Sequence, residues 1–136
     1  ARQIPYPDGG VAAIYASHLL EHISHRETTE TLKEWCRVLK PKGQLIINVP
    51  DLEWACAKFL ENYRENKSIG SNSYKNYQDL LLVFYGHQDA PGEYHQNGFT
   101  QKSLKKALKK AGFQKINIQK TIDAHQIGVL IAQAVK

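Results

Sequence analysis

The alternation of apolar and polar positions assigns most of the chain's elements. Val11-Ala12-Ala13-Ile14-Tyr15-Ala16 is an apolar run without polar alternation, the pattern of a short strand buried on both faces. His18 to His22 predicts the first turn or two of a helix. Glu27 to Leu39 predicts a full helix with Leu32, Trp35, Cys36 and Leu39 on one face. Acidic residues lead this helix, Arg37 and Lys40 close it, and Pro41-Lys42-Gly43 stops it. Gln44-Leu45-Ile46-Ile47-Asn48-Val49 is the clearest strand. Asp51 then caps a helix running through Tyr63, with Trp54, Phe59 and Leu60 among its apolar positions. Asn66–Asn72 reads as loop and Tyr74–Phe84 as a helix ending at Gly86. His87–Thr100 carries no periodicity, and loops of that length are usually functional or disordered. Thr100 caps a further helix, Gly112 ends it, and strands Lys115–Thr121 and Ile127–Val135 follow, with a turn near Asp123.

Two strands enclosing a helix imply a right-handed βαβ unit with a parallel pair; the last two strands, joined by a short turn, should be antiparallel. The fold class is therefore α/β, a mixed sheet with helices covering its faces. At 136 residues the chain has room for one domain. An apolar share of 42% and a charged share of 23% exclude a disordered chain, and no apolar run approaches a membrane span. Two widely spaced cysteines fit buried thiols in a reducing cytoplasm rather than a disulfide framework. The chain contains no Met and opens on Ala1, which raises the expectation that a front segment precedes it.

The net charge of +5 is concentrated late in the chain. Lys102, Lys105, Lys106, Lys109 and Lys110 interleave with Leu104, Ala107, Leu108 and Ala111, so they form the solvent face of an amphipathic helix. No Arg or aromatic residue accompanies them at exposed positions, so a nucleic acid is not expected as partner, and the short apolar runs give no reason to expect a membrane.

Several motifs together point to a family. Ile4-Pro5-Tyr6-Pro7-Asp8, Ile14-Tyr15-Ala16-Ser17-His18-Leu19-Leu20-Glu21-His22 and Trp35-Cys36-Arg37-Val38-Leu39-Lys40-Pro41-Lys42-Gly43-Gln44-Leu45-Ile46-Ile47 occur in that order. Tyr85-Gly86-His87-Gln88, Tyr94-His95-Gln96-Asn97-Gly98-Phe99-Thr100 and Ala111-Gly112-Phe113 follow. Together these closely resemble the class I S-adenosylmethionine-dependent methyltransferases, in their small-molecule, type 11/12-like branch. Ala12 departs from the family's usual Asp, and Lys42 from its usual Gly. The resemblance implies the carboxyl-terminal half of a Rossmann-like fold, strands four to seven, with the last strand antiparallel and helices on both faces. Residues 1–136 would then be a single partial domain. The Gly-rich turn and acidic residue that hold most of the cofactor in this family have no counterpart in the chain.

The resemblance also implies roles. Ala1, Arg2, Ser17, His18 and Leu19 would border S-adenosylmethionine, and Tyr85, His87 and Tyr94 the acceptor. His95 is the candidate catalytic base, with Glu21 and His22 beside it. Glu21 and His22 are read first as orienting residues. In related enzymes that methylate quinone precursors and small-RNA ends, a Glu-His pair here holds a divalent cation. Were one bound, His18, Glu21 and His22 would be its ligands, with His87 or His95 as the distal one. His18-Leu19-Leu20-Glu21-His22 also matches H-x-x-E-H, the inverted zinc-peptidase signature, with Glu93 downstream. That chemistry needs one long helix, whereas here a strand runs straight into His18. His25 and His125, with no constellation around them in the sequence, are expected at the surface, and Trp35 and Trp54 in the core. The expected function is methyl transfer to O or N of a small-molecule or glycan-like acceptor, as part of a longer enzyme and inactive as this fragment alone. The alternative is a non-catalytic half-domain remnant serving binding or assembly. Strand Val11–Ala16, lacking a partner on one side, is expected to be covered by a second copy in a homodimer.

Overall fold

The computed structural model describes residues 3–65 and 79–136. Strand β1 (Val11–Ser17) leads through a single 3-10 turn (Leu20–His22) to helix α1 (Thr28–Val38) and strand β2 (Leu39–Pro50). Helices α2 (Leu52–Glu65), α3 (Asp79–Tyr85) and α4 (Gln101–Lys110) follow, then strands β3 (Gln114–Ile122) and β4 (Gly128–Val135). The four strands form one open sheet in the order β1-β2-β4-β3. β1 and β2 are parallel, as the βαβ reading requires, and β4 runs antiparallel to both β2 and β3. The fold is α/β with a mixed sheet.

Period-two alternation sorts the sheet's side chains onto two faces. Leu45, Ile47 and Val49 of β2 and Leu130, Ala132 and Ala134 of β4 meet Leu32 and Trp35 of α1 and Leu104 and Leu108 of α4. Each fully buried Leu or Ile here contributes roughly 1.5–3 kcal/mol. On the opposite face a smaller cluster, Ala55, Leu80, Val83, Ile127 and Val129, packs with Trp54, Phe59 and Phe84. Gly128 makes this contact possible: a Cβ there would lie 2.3 Å from the Trp54 ring. Beyond that cluster no described element covers the second face, and Tyr15 on it is 70% exposed.

Several sequence expectations need correction. β1 is not buried on both faces: only Ala16 of its seven residues is buried, and among the described residues the strand has a single neighbour. His18 to His22 does not start a longer helix; its helical part is the three-residue turn. Pro41-Lys42-Gly43 does more than stop α1. Val11 pairs with Leu39 and Ala13 with Gln44, so residues 40–43 bulge out of a strand that continues around them. Lys42 in that bulge has φ +65°, a left-handed conformation glycine adopts at lower cost. Leu60 is exposed rather than core, and of the two cysteines Cys36 is half-buried and Cys56 exposed. Residues 66–72 and the start of the helix expected from Tyr74 lie outside the described residues.

One polar network fixes the entry to the sheet. Arg37 donates from Nε and Nη2 to the Glu34 carboxylate at 2.7 Å each, from Nη1 to Asp8 at 2.6 Å, and to the carbonyls of Ile4 and Tyr6. Glu34 also accepts from the Ile4 amide at 2.9 Å. Hydrogen bonds from Arg37 and Ile4 hold the Glu34 carboxyl down at about 2. The Pro-rich opening segment is thereby clamped to α1.

The lysine helix behaves as its pattern predicts. Leu104 and Leu108 are buried, while Lys102, Lys105, Lys106, Lys109 and Lys110 are exposed. Thr100 and Ser103 form a reciprocal capping box at its start. Among the described residues no helix is long and apolar enough to cross a membrane.

Candidate functional site

The functional candidates gather at the carboxyl ends of β1 and β2, where ligands bind in open α/β sheets. β1 ends at Ser17, and the chain turns at His18 with φ +48° while its amide donates to the Asn48 carbonyl of β2 at 2.9 Å. The 3-10 turn that follows buries Glu21 to 1% exposure. Residues 86–100 lie against this turn. The Glu21 carbonyl accepts from the amides of Gln96 and Asn97 at 2.8 and 3.0 Å. Gln96 Nε2 donates to the His22 carbonyl at 3.0 Å, and Asn97 Nδ2 to the Thr28 hydroxyl at 2.8 Å. Gly86 starts the segment at φ +77°, where a Cβ would sit 1.8 Å from the Glu93 carbonyl oxygen. Only glycine fits that crossing.

This anchoring brings Glu21, His22 and His95 together across more than seventy residues of chain. One potential ligand atom from each lies within 4.8 Å of the others, and the two imidazoles meet edge to face with centroids 4.8 Å apart. His22 Nδ1 lies 3.2 Å from the Tyr94 carbonyl and His95 Nδ1 2.8 Å from the Val83 carbonyl. A carbonyl only accepts, so these contacts assign the proton of each neutral ring to Nδ1 and leave a lone pair on Nε2. Glu21 Oε1 pairs with His18 Nδ1 at 3.1 Å, while Glu21 Oε2 is buried without a partner. Burial lowers the His95 pKa below its usual value. The Glu21 hydrogen bond raises that of His18.

Two adjoining cavities meet at this cluster. One, of about 260 Å³, is lined by Leu52, Phe84, Tyr85 and Phe99, with Glu21 and His95 in its wall. The other, about 480 Å³, carries His18, Glu21, His22, His87, Glu93 and His95, and reaches Asp123 and His125. Both share Pro50 and Val83.

Of the sequence candidates, Glu21, His22 and His95 converge, and His18 stands beside them through Glu21. Tyr85 lines the first cavity and His87 the second; Tyr94 lines neither and contributes its carbonyl to His22. Ser17 and Leu19 form an exposed ledge at the end of the edge strand, with His18 between them. Ala1 and Arg2 lie outside the described residues. The H-x-x-E-H string does not lie on one helix, so the peptidase arrangement is absent. His125 is exposed as expected, but not without surroundings: it sits with Asp123 at the rim of the second cavity. The roles of the Val83 carbonyl and of Pro50 had no sequence signal, since both depend on packing between distant segments.

Comparison with known proteins agrees with this fold. A family model described as "Methyltransferase domain" matches residues 1–118. The ubiquinone/menaquinone biosynthesis C-methyltransferase UbiE of Chromobacterium violaceum is 27% identical over 123 residues, covering 86% of this chain and 45% of the relative. The chain thus spans less than half the length of this curated relative. A SAM-dependent methyltransferase of Thermotoga maritima, described as a possible histamine N-methyltransferase, superposes with a TM-score of 0.63. It is 19% identical, with 99% of this chain and 60% of that one covered. The 1,6-didemethyltoxoflavin-N1-methyltransferase of Burkholderia thailandensis, solved with S-adenosylhomocysteine, gives 0.60 at 16% identity, covering 95% and 45%. The chain belongs to the methyltransferase-domain family, with the fold of the class I S-adenosylmethionine-dependent enzymes.

Proposed function

We propose that this methyltransferase-domain protein moves a methyl group from S-adenosylmethionine to an oxygen or nitrogen of a small-molecule or glycan-like acceptor, as part of a longer enzyme. The observation that carries this reading is the convergence of three groups with open lone pairs, Glu21, His22 and His95, where two cavities meet beyond β1. S-adenosylmethionine, when bound, supplies an electrophilic methyl on a positively charged sulfur. The exposed ledge of Ser17, His18 and Leu19 fits one side of such a molecule, bordering its methionine portion.

Methyl transfer needs an in-line approach, exclusion of water and removal of one proton from the acceptor. The cavity lined by Leu52, Phe84, Tyr85 and Phe99 offers an apolar seat. His95, kept neutral by burial, takes the proton on Nε2 while its Nδ1–H remains fixed on the Val83 carbonyl. With that proton removed, the acceptor's lone pair would be free to take the methyl group that bound S-adenosylmethionine would supply, the sulfur keeping the electron pair. Curated relatives are named as C-methyltransferases. The choice of a heteroatom here rests on the two imidazoles and the carboxylate, which accept hydrogen bonds from a hydroxyl or amine.

Methyl-labelled S-adenosylmethionine offered to the longer enzyme with hydroxyl and amine acceptors tests this, with NMR of the product locating the methyl. Label on O or N is expected; label on carbon alone contradicts the acceptor assignment. The ledge forms only one wall for the cofactor, so calorimetry should detect no S-adenosylhomocysteine binding by these 136 residues alone. Tight binding would contradict that expectation.

The open edge of β1 supports pairing with a second copy. A strictly monomeric species in sedimentation at high concentration would dismiss the pairing.

A further inference from the structure

We propose that the methyl acceptor is a protonated amine with an apolar body, its ammonium group seated against Glu21 where the two cavities meet. The inference rests on the methyl-transfer reading and names a substrate class for it.

The first argument is charge. The chain carries 18 Lys and Arg against 13 Asp and Glu, yet among the described residues no Lys or Arg lines either cavity. Three carboxylates do: Glu21 in both, and Glu93 and Asp123 in the second. Glu93 Oε2 accepts from the Asp89 amide at 3.1 Å, and Asp123 Oδ1 from the amides of His125 and Ile127 at 2.9 Å each. Among the described residues neither pairs with a lysine or arginine. Even with His18 protonated against Glu21, these two charges favour a cation in the second cavity.

The second argument is burial. Glu21 is 1% exposed, with Oε1 held by His18 at 3.1 Å and Oε2 lacking a partner among the described residues. A carboxylate oxygen of Glu21 lies within 4.8 Å of ring nitrogens of His22 and His95. A buried acceptor left without a donor is costly, so the site favours a ligand that supplies one. An ammonium brings three N–H donors and a positive charge. A hydroxyl brings one donor and no charge, and a carboxylate or phosphate is repelled. The first cavity takes the rest of the molecule, because its walls of Leu52, Phe84, Tyr85 and Phe99 hold no carboxylate besides Glu21.

The chemistry follows. The ammonium has no lone pair until it gives one N–H proton to His95 Nε2. The freed lone pair takes the methyl group supplied by bound S-adenosylmethionine, and sulfur keeps the carbon–sulfur electron pair. The product is a methylated ammonium of unchanged charge, and the proton passes from His95 to solvent.

The test compares 2-phenylethylamine with 2-phenylethanol, which differ only in the ammonium, by NMR titration of the longer enzyme at pH 7 without S-adenosylmethionine. The amine should bind at least about tenfold tighter, the contribution of one charge-assisted hydrogen bond at a buried site. Glu93→Gln combined with Asp123→Asn keeps an oxygen for each backbone hydrogen bond and removes both charges. The amine's advantage should then fall roughly threefold or more, with the alcohol's affinity unchanged. Glu30→Gln, at an exposed carboxylate lining neither cavity, should leave the advantage as it is. Equal affinity for amine and alcohol, no saturable amine binding, or an advantage that survives the double variant overturns the proposal. The labelled-methyl assay separates the two readings. Label reaching only hydroxyl acceptors removes the amine and keeps methyl transfer. A preferred amine left unlabelled together with every hydroxyl acceptor contradicts methyl transfer instead.

Discussion

Two polar clusters in this molecule look alike in composition and differ in their accounting. In the first, all five N–H groups of Arg37 find acceptors, and both oxygens of Glu34 are engaged. In the second, among the described residues, Glu21 keeps a buried oxygen without a partner, and His22 and His95 use only Nδ1 in hydrogen bonds, beside a cavity that both line. The closed network does structural work by tying residues 4–8 to α1. The open one holds capacity in reserve for a ligand, proton or ion. A dense group of charged residues is therefore weak evidence of function; the unspent donors and acceptors within it are the stronger signal.

The largest way to disturb this contrast is through Gly86. Gly86→Ala places a Cβ 1.8 Å from the Glu93 carbonyl at φ +77°, so the segment carrying His95 must move. A loss of roughly 1–3 kcal/mol is expected, together with most of the activity, while the Arg37 clamp is undisturbed. Denaturant titration beside the labelled-methyl assay measures both.

Glu34→Gln probes the closed cluster through pH. The Glu34 carboxyl is held at about 2 against an ordinary value near 4.5, so its contribution is complete above 4.5 and is lost as pH falls toward 2. The melting temperature of Glu34→Gln should lie below that of the wild type at pH 7, and the two should converge on acidification toward pH 2. A gap that persists unchanged at pH 2 would contradict the ionic role. The smallest effect belongs to the lysine face. Lys105→Ser should change stability by less than about 0.5 kcal/mol and leave methyl transfer intact, because the side chain is exposed and belongs to neither cluster.

Much of this architecture was legible in the residues. The run Gln44–Val49, the amphipathic lysine helix and the Thr100 cap each follow local rules, and local rules were sufficient for them. The exposed face of β1 was not legible, because an apolar run does not state which elements will pack over a strand. Residues 40–43 read as a helix stop, since pairing across a bulge is decided by the partner strand. At the site, Glu21, His22 and His95 were each nameable from motifs. Their meeting depends on Gln96 and Asn97 gripping the Glu21 carbonyl, a contact between segments that periodicity cannot register. The partnership of Arg37 with Asp8 was hidden for the same reason, although both residues lay inside quoted motifs.

The most direct measurement sets the two clusters against each other. Methyl-transfer rate and melting temperature are recorded for His95→Ala and Arg37→Ala, both made in the longer enzyme. The expected result is a crossed one. His95→Ala should lose about 10²–10⁴-fold in rate with its melting temperature nearly kept, whereas Arg37→Ala should melt lower and, while folded, turn over like the wild type. A His95→Ala protein that transfers methyl groups at the wild-type rate would contradict the assignment of this cluster as the reacting site.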